Sequence, residues 1–275
     1  MREGIFSLLL TAISRTLLCR DRFSGRMKQS LSAFSFESER LFISSGDRRL
    51  SAVHVSAGES APALLICHGI GERVEYWGGV QGLLKTMGVS SLVFNYSGYG
   101  ASSGSISATH CEQDGIAAYR ELVSRGSRSI FLLGFSLGSG IACEVASRVN
   151  VHGVVLCEGF SSLREAGAAM GLPGWLTRIV PNVWQTIHRV SELEVPVLVV
   201  HSDADRLFPL IMAERIAEAC TQNGELIVVN GLAHNEPIFA PTEDYWRPIA
   251  KWLMRSSSNS MRVDRDNICP EASPR

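Results

Sequence analysis

Short apolar runs recur along the chain and alternate with longer stretches that mostly show helical periodicity. Such continuous runs are typical of strands buried on both faces of a sheet, because a half-exposed strand alternates apolar and polar positions. The sequence predicts strands near Leu50–Val55, Ala63–Cys67, Ser91–Phe94, Ser129–Leu133, Val151–Cys157, Val195–Val200 and Leu226–Val229. The alternation indicates an α/β fold with a mostly parallel sheet flanked by helices, in which ligands bind beyond the carboxyl ends of the strands.

One of these strands runs directly into a Gly-Phe-Ser-Leu-Gly segment, residues 134–138. After it, Ile141 and Val145 are spaced one helical turn apart, so strand, turn and helix follow in order. A Gly-x-Ser-x-Gly segment in this context forms a sharp turn that exposes the serine hydroxyl above the sheet, and the glycines avoid side-chain collisions in the bend. The pattern predicts Ser136 as a nucleophile.

A serine hydroxyl is a weak nucleophile unless a base removes its proton. His234 follows the predicted strand Leu226–Val229 in a loop and comes after Ser136 in the chain, which favours it as the base. The other histidines lie on strands, in or beside helical stretches, or ahead of the serine: His54, His68, His110, His152, His188 and His201.

The base needs a carboxylate to orient it, and three acidic residues compete for this role. Asp205 is preferred, since it lies deep in the loop that follows the strand Val195–Val200 and precedes a predicted helix. Asp203 follows the strand more tightly, where its side chain can form a turn with its own backbone. Glu158 is the third candidate because it ends a neighbouring strand, although a cap or loop carboxylate is the favoured interpretation of this residue.

Acyl transfer also needs amide donors for the developing oxyanion. Leu137 provides the amide after the nucleophile. The loop His68-Gly69-Ile70-Gly71-Glu72 follows an earlier strand, and its glycines allow the backbone N–H groups to turn towards the site. Ile70 is the predicted second donor.

Five segments together resemble the α/β-hydrolase superfamily: residues 68–72, 95–100, 134–138, 204–207 and 233–235. The resemblance runs from about Leu41 to Arg255 and is greatest to monoacylglycerol lipases, to serine aminopeptidases of the S33 type, and to small hydrolases with a Gly-Tyr-Gly-x-Ser segment. It implies an α/β-hydrolase fold, the same nucleophile, acid, base and oxyanion amides, and neither a cofactor nor a metal. The sequence departs from the family at Ser202, where the family often has glycine.

Composition agrees with one enzyme domain that binds a small molecule. The chain has 275 residues, is 45% hydrophobic and carries a net charge of −1, so it lacks the basic excess of a nucleic-acid-binding protein. Its seven cysteines are an odd number, and Cys67, Cys143 and Cys157 lie in apolar contexts. These features favour a reducing, cytoplasmic location without a disulfide framework. They leave the oligomeric state open.

The two ends are predicted to lie outside the domain, which spans residues 41–255. Residues 1–27 combine a short apolar run with several arginines, and three interpretations remain open: a weak signal for export, a segment at the membrane surface, or an extension upstream of a true start at Met27. The first two leave membrane association open. Residues 256–275 are rich in serine and charge and are predicted to be disordered.

Residues 158–194 are longer than one connecting helix requires, which favours a small lid over the serine, with the inner face of an ordinary helix as the alternative. The segment is rich in apolar side chains: Met170, Leu172, Trp175, Leu176, Ile179, Val180 and Trp184. Two functions follow from the sequence. One is a serine hydrolase that cleaves a carboxylic ester, or a thioester or amide, of a small-molecule acyl substrate. The other is an inert α/β-hydrolase fold that binds a small molecule.

Overall fold

The computed structural model describes residues 36–178, 183–220 and 224–268; the side chains of Leu176 and of residues 259–268 are not included. The predicted N-terminal extension, residues 1–27, lies outside the described residues. The strands of the sheet are β1 (Glu39–Ser45), β2 (Arg48–Val55), β3 (Ala63–Cys67), β4 (Ser90–Phe94), β5 (Ile130–Phe135), β6 (Val154–Cys157), β7 (Val197–Ser202) and β8 (Gly224–Val229).

These strands form one sheet in the order β1-β2-β4-β3-β5-β6-β7-β8. β1 pairs antiparallel with β2, and β2 pairs antiparallel with β4, whereas all pairs from β4 to β8 are parallel. The predicted α/β fold with a mostly parallel sheet is confirmed. β1 was not among the predicted strands, and its alternating burial explains why, since its exposed positions interrupt the apolar run.

Helices cover both faces of the sheet, which explains the continuous apolar strands. They are α1 (Gly78–Thr86), α2 (Ala108–Ser124), α3 (Gly138–Ala146), α4 (Leu163–Ala169), α5 (Gly174–Thr177), α6 (Thr186–Val190), α7 (Leu210–Ala219), α8 (Glu236–Phe239) and α9 (Glu243–Ile268). In β3, Leu65 and Cys67 belong to the core with α2, α3 and α7. Leu64 and Ile66 belong to the opposite core, with α1 and α9. Burial on alternate faces therefore makes every position of the strand apolar.

The C-terminal helix extends past Arg255, the predicted end of the domain. α9 continues to Ile268, so residues 256–268 are helical where the sequence predicts disorder, and residues 269–275 lie outside the described part. The side chains of Ser256 and Ser257 are buried, and the Ser257 hydroxyl donates a hydrogen bond of 2.9 Å to Ser129 Oγ. The serine-rich composition that suggested disorder thus includes packing positions of the helix. No helix within the described ranges is both long and apolar enough to cross a bilayer.

The described part of the segment 158–194, which lacks residues 179–182, contains the short helices α4 to α6, and its two tryptophans differ in environment. Trp184 is 2% exposed and packs against Gly140 of α3, which leaves no room for a Cβ atom on that glycine. Trp175 on α5 is 69% exposed. Residues 179–182, with Ile179 and Val180, lie outside the described residues. Trp184 therefore belongs to the core, and the lid itself stays a prediction.

This contrast makes a stability prediction. Trp184→Ala should lower the free energy of unfolding by about 3–5 kcal/mol, because it removes a large buried side chain and leaves a cavity behind α3. Trp175→Ala, the matched control in the same segment, should change it by less than about 0.5 kcal/mol. Urea denaturation of both variants measures the difference. Equal losses would place Trp184 outside the core.

Candidate active site

The turn between β5 and α3 holds Ser136 in a left-handed backbone conformation, with φ of 52°. Two flanking glycines make the turn sterically feasible. A Cβ atom on Gly138 would overlap the Cys67 carbonyl oxygen of β3. One on Gly134 would meet the backbone of Gly138 and Ser139 at about 2.5 Å. The predicted strand, turn and helix are thus present, and the serine side chain stands at the carboxyl edge of the sheet.

Three predicted residues form a continuous hydrogen-bonded chain. His234 Nε2 lies 2.9 Å from Ser136 Oγ, and His234 Nδ1 lies 2.7 Å from Asp205 Oδ2. Because a carboxylate only accepts, Nδ1 carries the proton and Nε2 presents its lone pair to the serine hydroxyl. All three residues are less than 10% exposed. The arrangement can pass a proton from the serine oxygen to the imidazole.

The loop after β7 keeps Asp205 ionised. Its Oδ1 accepts hydrogen bonds from the amides of Leu207 at 2.7 Å and Phe208 at 3.1 Å. Burial alone raises the pKa of a carboxyl group, but here the bonds from His234 and from the two amides outweigh it and lower the pKa of Asp205. Asp205 therefore presents a negative charge to the imidazole.

Asp203 and Glu158, the other candidate acids, make different contacts. Asp203 Oδ1 accepts the amide of Gly231 at 2.7 Å and so braces the loop that carries His234. Glu158 accepts the Ser202 amide, at 3.2 Å and 3.1 Å to its two oxygens, and the Tyr245 hydroxyl at 3.1 Å. Of the three acids, Asp205 is the one that bonds to the histidine.

Ser202, the departure from the family pattern, also supports the histidine loop. Its hydroxyl donates to the Leu232 carbonyl at 2.6 Å and accepts the Leu232 amide at 3.0 Å. It accepts the Ala204 amide at 3.2 Å as well. A glycine could make none of these side-chain bonds. The sequence flagged this position as unusual, and the structure shows that its side chain links the acid loop to the base loop.

Leu137 directly follows the serine, and the loop that carries Ile70 lies next to it, since a Cβ atom on Gly69 would be 3.2 Å from Ser136 Cβ. Leu137 caps the start of α3, and Ile70 belongs to the loop behind β3, in which Gly71 adopts a left-handed φ of 76°. Among the described residues, neither amide donates a hydrogen bond to another protein group, and both stay predicted donors to an oxyanion.

Glu72, which the sequence analysis did not single out, holds the loop that carries Ile70. Its Oε2 accepts the Gly69 amide at 3.0 Å and Trp77 Nε1 at 2.9 Å. Burial raises the pKa of Glu72 to about 8, although these two hydrogen bonds oppose the shift. The side chain is thus a neutral carboxylic acid at neutral pH. In the sequence, the signal that could have identified Glu72 is its position directly after Gly71 in this loop.

Aromatic rings surround the site and limit its contact with water. Phe208 meets the His234 ring edge to face at 5.3 Å between centroids, and the Phe135 ring lies 5.6 Å away. On the other side, His68 donates from Nδ1 to the Gly69 carbonyl at 2.8 Å, and burial lowers the pKa of His68 to about 4. His68 is neutral there and is part of the wall behind the glycine loop.

Among the described residues, one group brings metal-ligating atoms close together: those of Glu158, Asp205 and His234 lie within 4.8 Å of one another. These atoms already take part in hydrogen bonds. Asp205 Oδ2 accepts from His234 Nδ1, and Glu158 accepts from Ser202 and Tyr245. Hydrogen bonding accounts for the cluster without an ion.

The buried Glu72 carboxyl makes stability depend on pH. Its pKa is about 8 in the folded protein against 4.5 for the free group, so ionisation between these values favours the unfolded chain. From pH 5 to pH 8 the free energy of unfolding of the wild type should fall by on the order of 2–4 kcal/mol because of this group. Glu72→Gln keeps the acceptor oxygen and cannot ionise. Its stability relative to wild type should therefore rise across this range.

Chemical denaturation at pH 5 and pH 8 measures this gain, with Glu59→Gln on an exposed loop as the control. A gain of the same size at both pH values for Glu72→Gln would contradict a neutral buried acid.

Comparison with known proteins agrees with this architecture. A sequence model of the alpha/beta hydrolase fold family matches residues 62–186. The Mycobacterium tuberculosis protein Rv2307c is 32% identical over 189 residues, which cover 67% of this chain and 66% of that protein. The human alpha/beta hydrolase domain-containing protein 17C is 26% identical over 228 residues, covering 79% of this chain and 67% of that protein. The chain thus spans about two thirds of the length of these relatives.

Among solved structures, the Pyrococcus furiosus esterase Pf2001 superposes with a TM-score of 0.69 at 21% identity, covering 83% of this chain and 93% of that one. A similarity at this level of identity establishes the fold. The finer resemblance to monoacylglycerol lipases and S33-type aminopeptidases stays a prediction. The strand order, the family match and the relative of the alpha/beta hydrolase domain-containing type together show that the chain belongs to the α/β-hydrolase superfamily.

Proposed function

We propose that this protein is a serine hydrolase that cleaves a carboxylic ester through an acyl-enzyme intermediate. The observation that carries the proposal is the chain of contacts in which His234 lies 2.9 Å from Ser136 Oγ and 2.7 Å from Asp205 Oδ2. A nucleophile, a base and an acid in hydrogen-bond contact are the arrangement that activates a serine hydroxyl. The similarity in fold to an esterase gives further support.

In the first half of the proposed reaction, Ser136 Oγ attacks the carbonyl carbon of the ester while its proton passes to His234 Nε2. The imidazole then carries a positive charge in a site that is less than 10% exposed. Asp205 stabilises this charge across the 2.7 Å bond to Nδ1 and keeps the ring in the tautomer that accepts the proton. The rings of Phe208 and Phe135 beside His234 limit its contact with water, which strengthens this electrostatic effect.

The carbonyl oxygen becomes negative as the bond to Ser136 forms. The amides of Leu137 and Ile70 are the proposed donors to it, since neither has an acceptor among the described residues. Such donors are fixed before the reaction begins, so they stabilise the charge without reorganisation. Glu72, by holding the Gly69 amide, fixes the loop that carries one of them.

The tetrahedral intermediate then collapses, and the bond to the leaving oxygen breaks. His234 returns its proton to that oxygen, which departs as an alcohol and leaves the acyl group on Ser136. A water molecule attacks the acyl-enzyme by the same route: it gives its proton to His234, and the proton returns to Ser136 Oγ as the acid is released. A thioester or an amide could follow the same steps with a different leaving atom.

The first test is Ser136→Ala, which should abolish hydrolysis of p-nitrophenyl esters and labelling by a fluorophosphonate probe. Removing one member of such a triad costs several orders of magnitude in turnover. The fold should be retained, since the substitution removes one oxygen atom, whose hydrogen bond is to His234, and keeps the Cβ atom. Peptide mapping should place the label of the wild type on Ser136.

Two results would contradict the assignment. Retained activity above about a hundredth of wild type would mean that another residue is the nucleophile. A well-folded wild type that neither labels nor hydrolyses any ester would instead support the inert binding fold.

A second test separates the two aspartates of the β7 loop. Asp205→Asn should lower kcat about ten-thousandfold, because the amide can no longer hold His234 in the accepting tautomer. Asp203→Asn is the matched control. It keeps an acceptor for the Gly231 amide and should cost no more than about tenfold. Steady-state kinetics on one ester measures both, and the reverse ranking would move the acid role to Asp203.

A further inference from the structure

A second buried carboxyl group lies against the acid of the proposed triad. Glu158 follows β6 directly, is 0% exposed and has a left-handed φ of 47°. Its carboxyl oxygen, an Asp205 oxygen and a His234 ring nitrogen all lie within 4.8 Å of one another. The steps proposed above give Glu158 no role, although its burial and its backbone strain are both unfavourable.

Two carboxyl groups this close in a buried site do not both ionise near neutral pH, so the pair then holds one proton. The hydrogen bonds decide which group carries it. Asp205 accepts from two backbone amides and from His234 Nδ1, and these three donors favour its anion. Glu158 accepts from one amide and one hydroxyl. The proton therefore belongs on Glu158, and burial together with the charge on Asp205 raises the pKa of Glu158 to about 8.

The other titratable groups that face Glu158 are neutral. His201 Nε2 donates to the Phe208 carbonyl at 2.9 Å, so its Nδ1, 3.7 Å from Glu158, carries no proton, and burial lowers the pKa of that ring. Burial also raises the pKa of the Tyr245 hydroxyl and of the Cys157 thiol far above neutrality. Asp205 is thus the charge that Glu158 meets before His234 becomes protonated.

We propose that Glu158 is a positioning residue for the hydrolase reaction: it carries a proton, donates a hydrogen bond to Asp205, and holds that carboxylate against His234. The inference rests on the function proposed above. One negative charge, not two, then faces the imidazole, and the Asp205 carboxylate is held from both sides. Ionisation of Glu158 removes the donor and adds a like charge, which pushes Asp205 away from its place on the ring.

The chain allows a matched set of variants. Glu158→Gln keeps a neutral donor of the same shape and cannot ionise, whereas Glu158→Ala removes the donor. Glu72→Gln is the control, since Glu72 is also a buried carboxyl whose pKa is raised to about 8, but it contacts the Gly69 loop and not Asp205. The measurements are kcat and KM for a p-nitrophenyl ester from pH 6 to pH 10.

In the wild type, kcat/KM should fall as the pH rises through about 8, because Glu158 loses its proton there. Glu158→Gln should keep kcat within about threefold of wild type at pH 7 and should lack this alkaline fall. Glu72→Gln should retain the fall. Glu158→Ala should lower kcat about 10- to 100-fold with little change in KM, since the defect lies in the alignment of Asp205 and not in substrate binding.

A second readout needs no turnover. The proton on His234 Nδ1, held by Asp205, should give a far-downfield proton NMR resonance. This resonance should shift through about pH 8 in the wild type and stay constant in Glu158→Gln. An alkaline fall or a titrating resonance that persists in Glu158→Gln would overturn the inference, as would wild-type kcat in Glu158→Ala. If Glu158→Ala does not fold, the pH profile of Glu158→Gln and the NMR resonance still test the inference. If the wild type neither hydrolyses esters nor labels, the proposed function fails, and the resonance still tests the acid pair.

Discussion

The left-handed backbone at Ser136 is the constraint on which the site depends. A residue with a side chain is rarely stable in this conformation, and holding one there costs about 1–3 kcal/mol. The sheet supplies the compensation. The Ser136 amide donates to the Cys157 carbonyl of β6 at 2.9 Å, and the Ser139 amide donates to the Ser136 carbonyl at 3.0 Å, so both backbone groups of the serine are satisfied. On the other side, Gly138 allows α3 to approach the Cys67 carbonyl of β3. The turn therefore persists because buried strands on two sides fix it.

The same parallel strands gather the remaining groups at one edge of the sheet. The loop after β3 carries Ile70, the loop after β7 carries Asp205, and the loop after β8 carries His234. Hydrogen bonds between these loops set their spacing. The Ser202 hydroxyl bonds to Leu232, and the Asp203 carboxylate accepts the Gly231 amide, so the acid loop and the base loop are held together. The 2.7 Å contact between Asp205 and His234 is thus prepared by contacts that neither residue makes itself.

The sequence predicts those features that depend on local pattern. Continuous apolar strands, the Gly-x-Ser-x-Gly turn and the chain order of serine, acid and base were readable from the residues, and the structure places Ser136, Asp205 and His234 in contact. The limits of β6 were harder to predict, because the apolar run from Val151 continues through Gly153 before pairing begins at Val154. The protonation states of Glu72 and Glu158 were not readable at all. They follow from burial and from neighbours that are distant in the chain, and residue type alone does not reveal them.

Glu72 and Glu158 are buried acids that are neutral near pH 7, and this limits the negative charge around the proposed site. Glu72 accepts the Gly69 amide, and its neutral carboxyl so positions the loop that carries Ile70. Glu158 lies next to Asp205, where a second negative charge would repel the Asp205 carboxylate. Burial raises the pKa of both groups to about 8, so near neutral pH neither adds its charge. The Asp205 carboxylate, stabilised by two amides, then faces His234 without a second negative charge from Glu158. An ionised acid at Glu158 would displace the carboxylate that orients the base. The burial that makes Glu158 costly to ionise is therefore what makes it compatible with the proposed reaction.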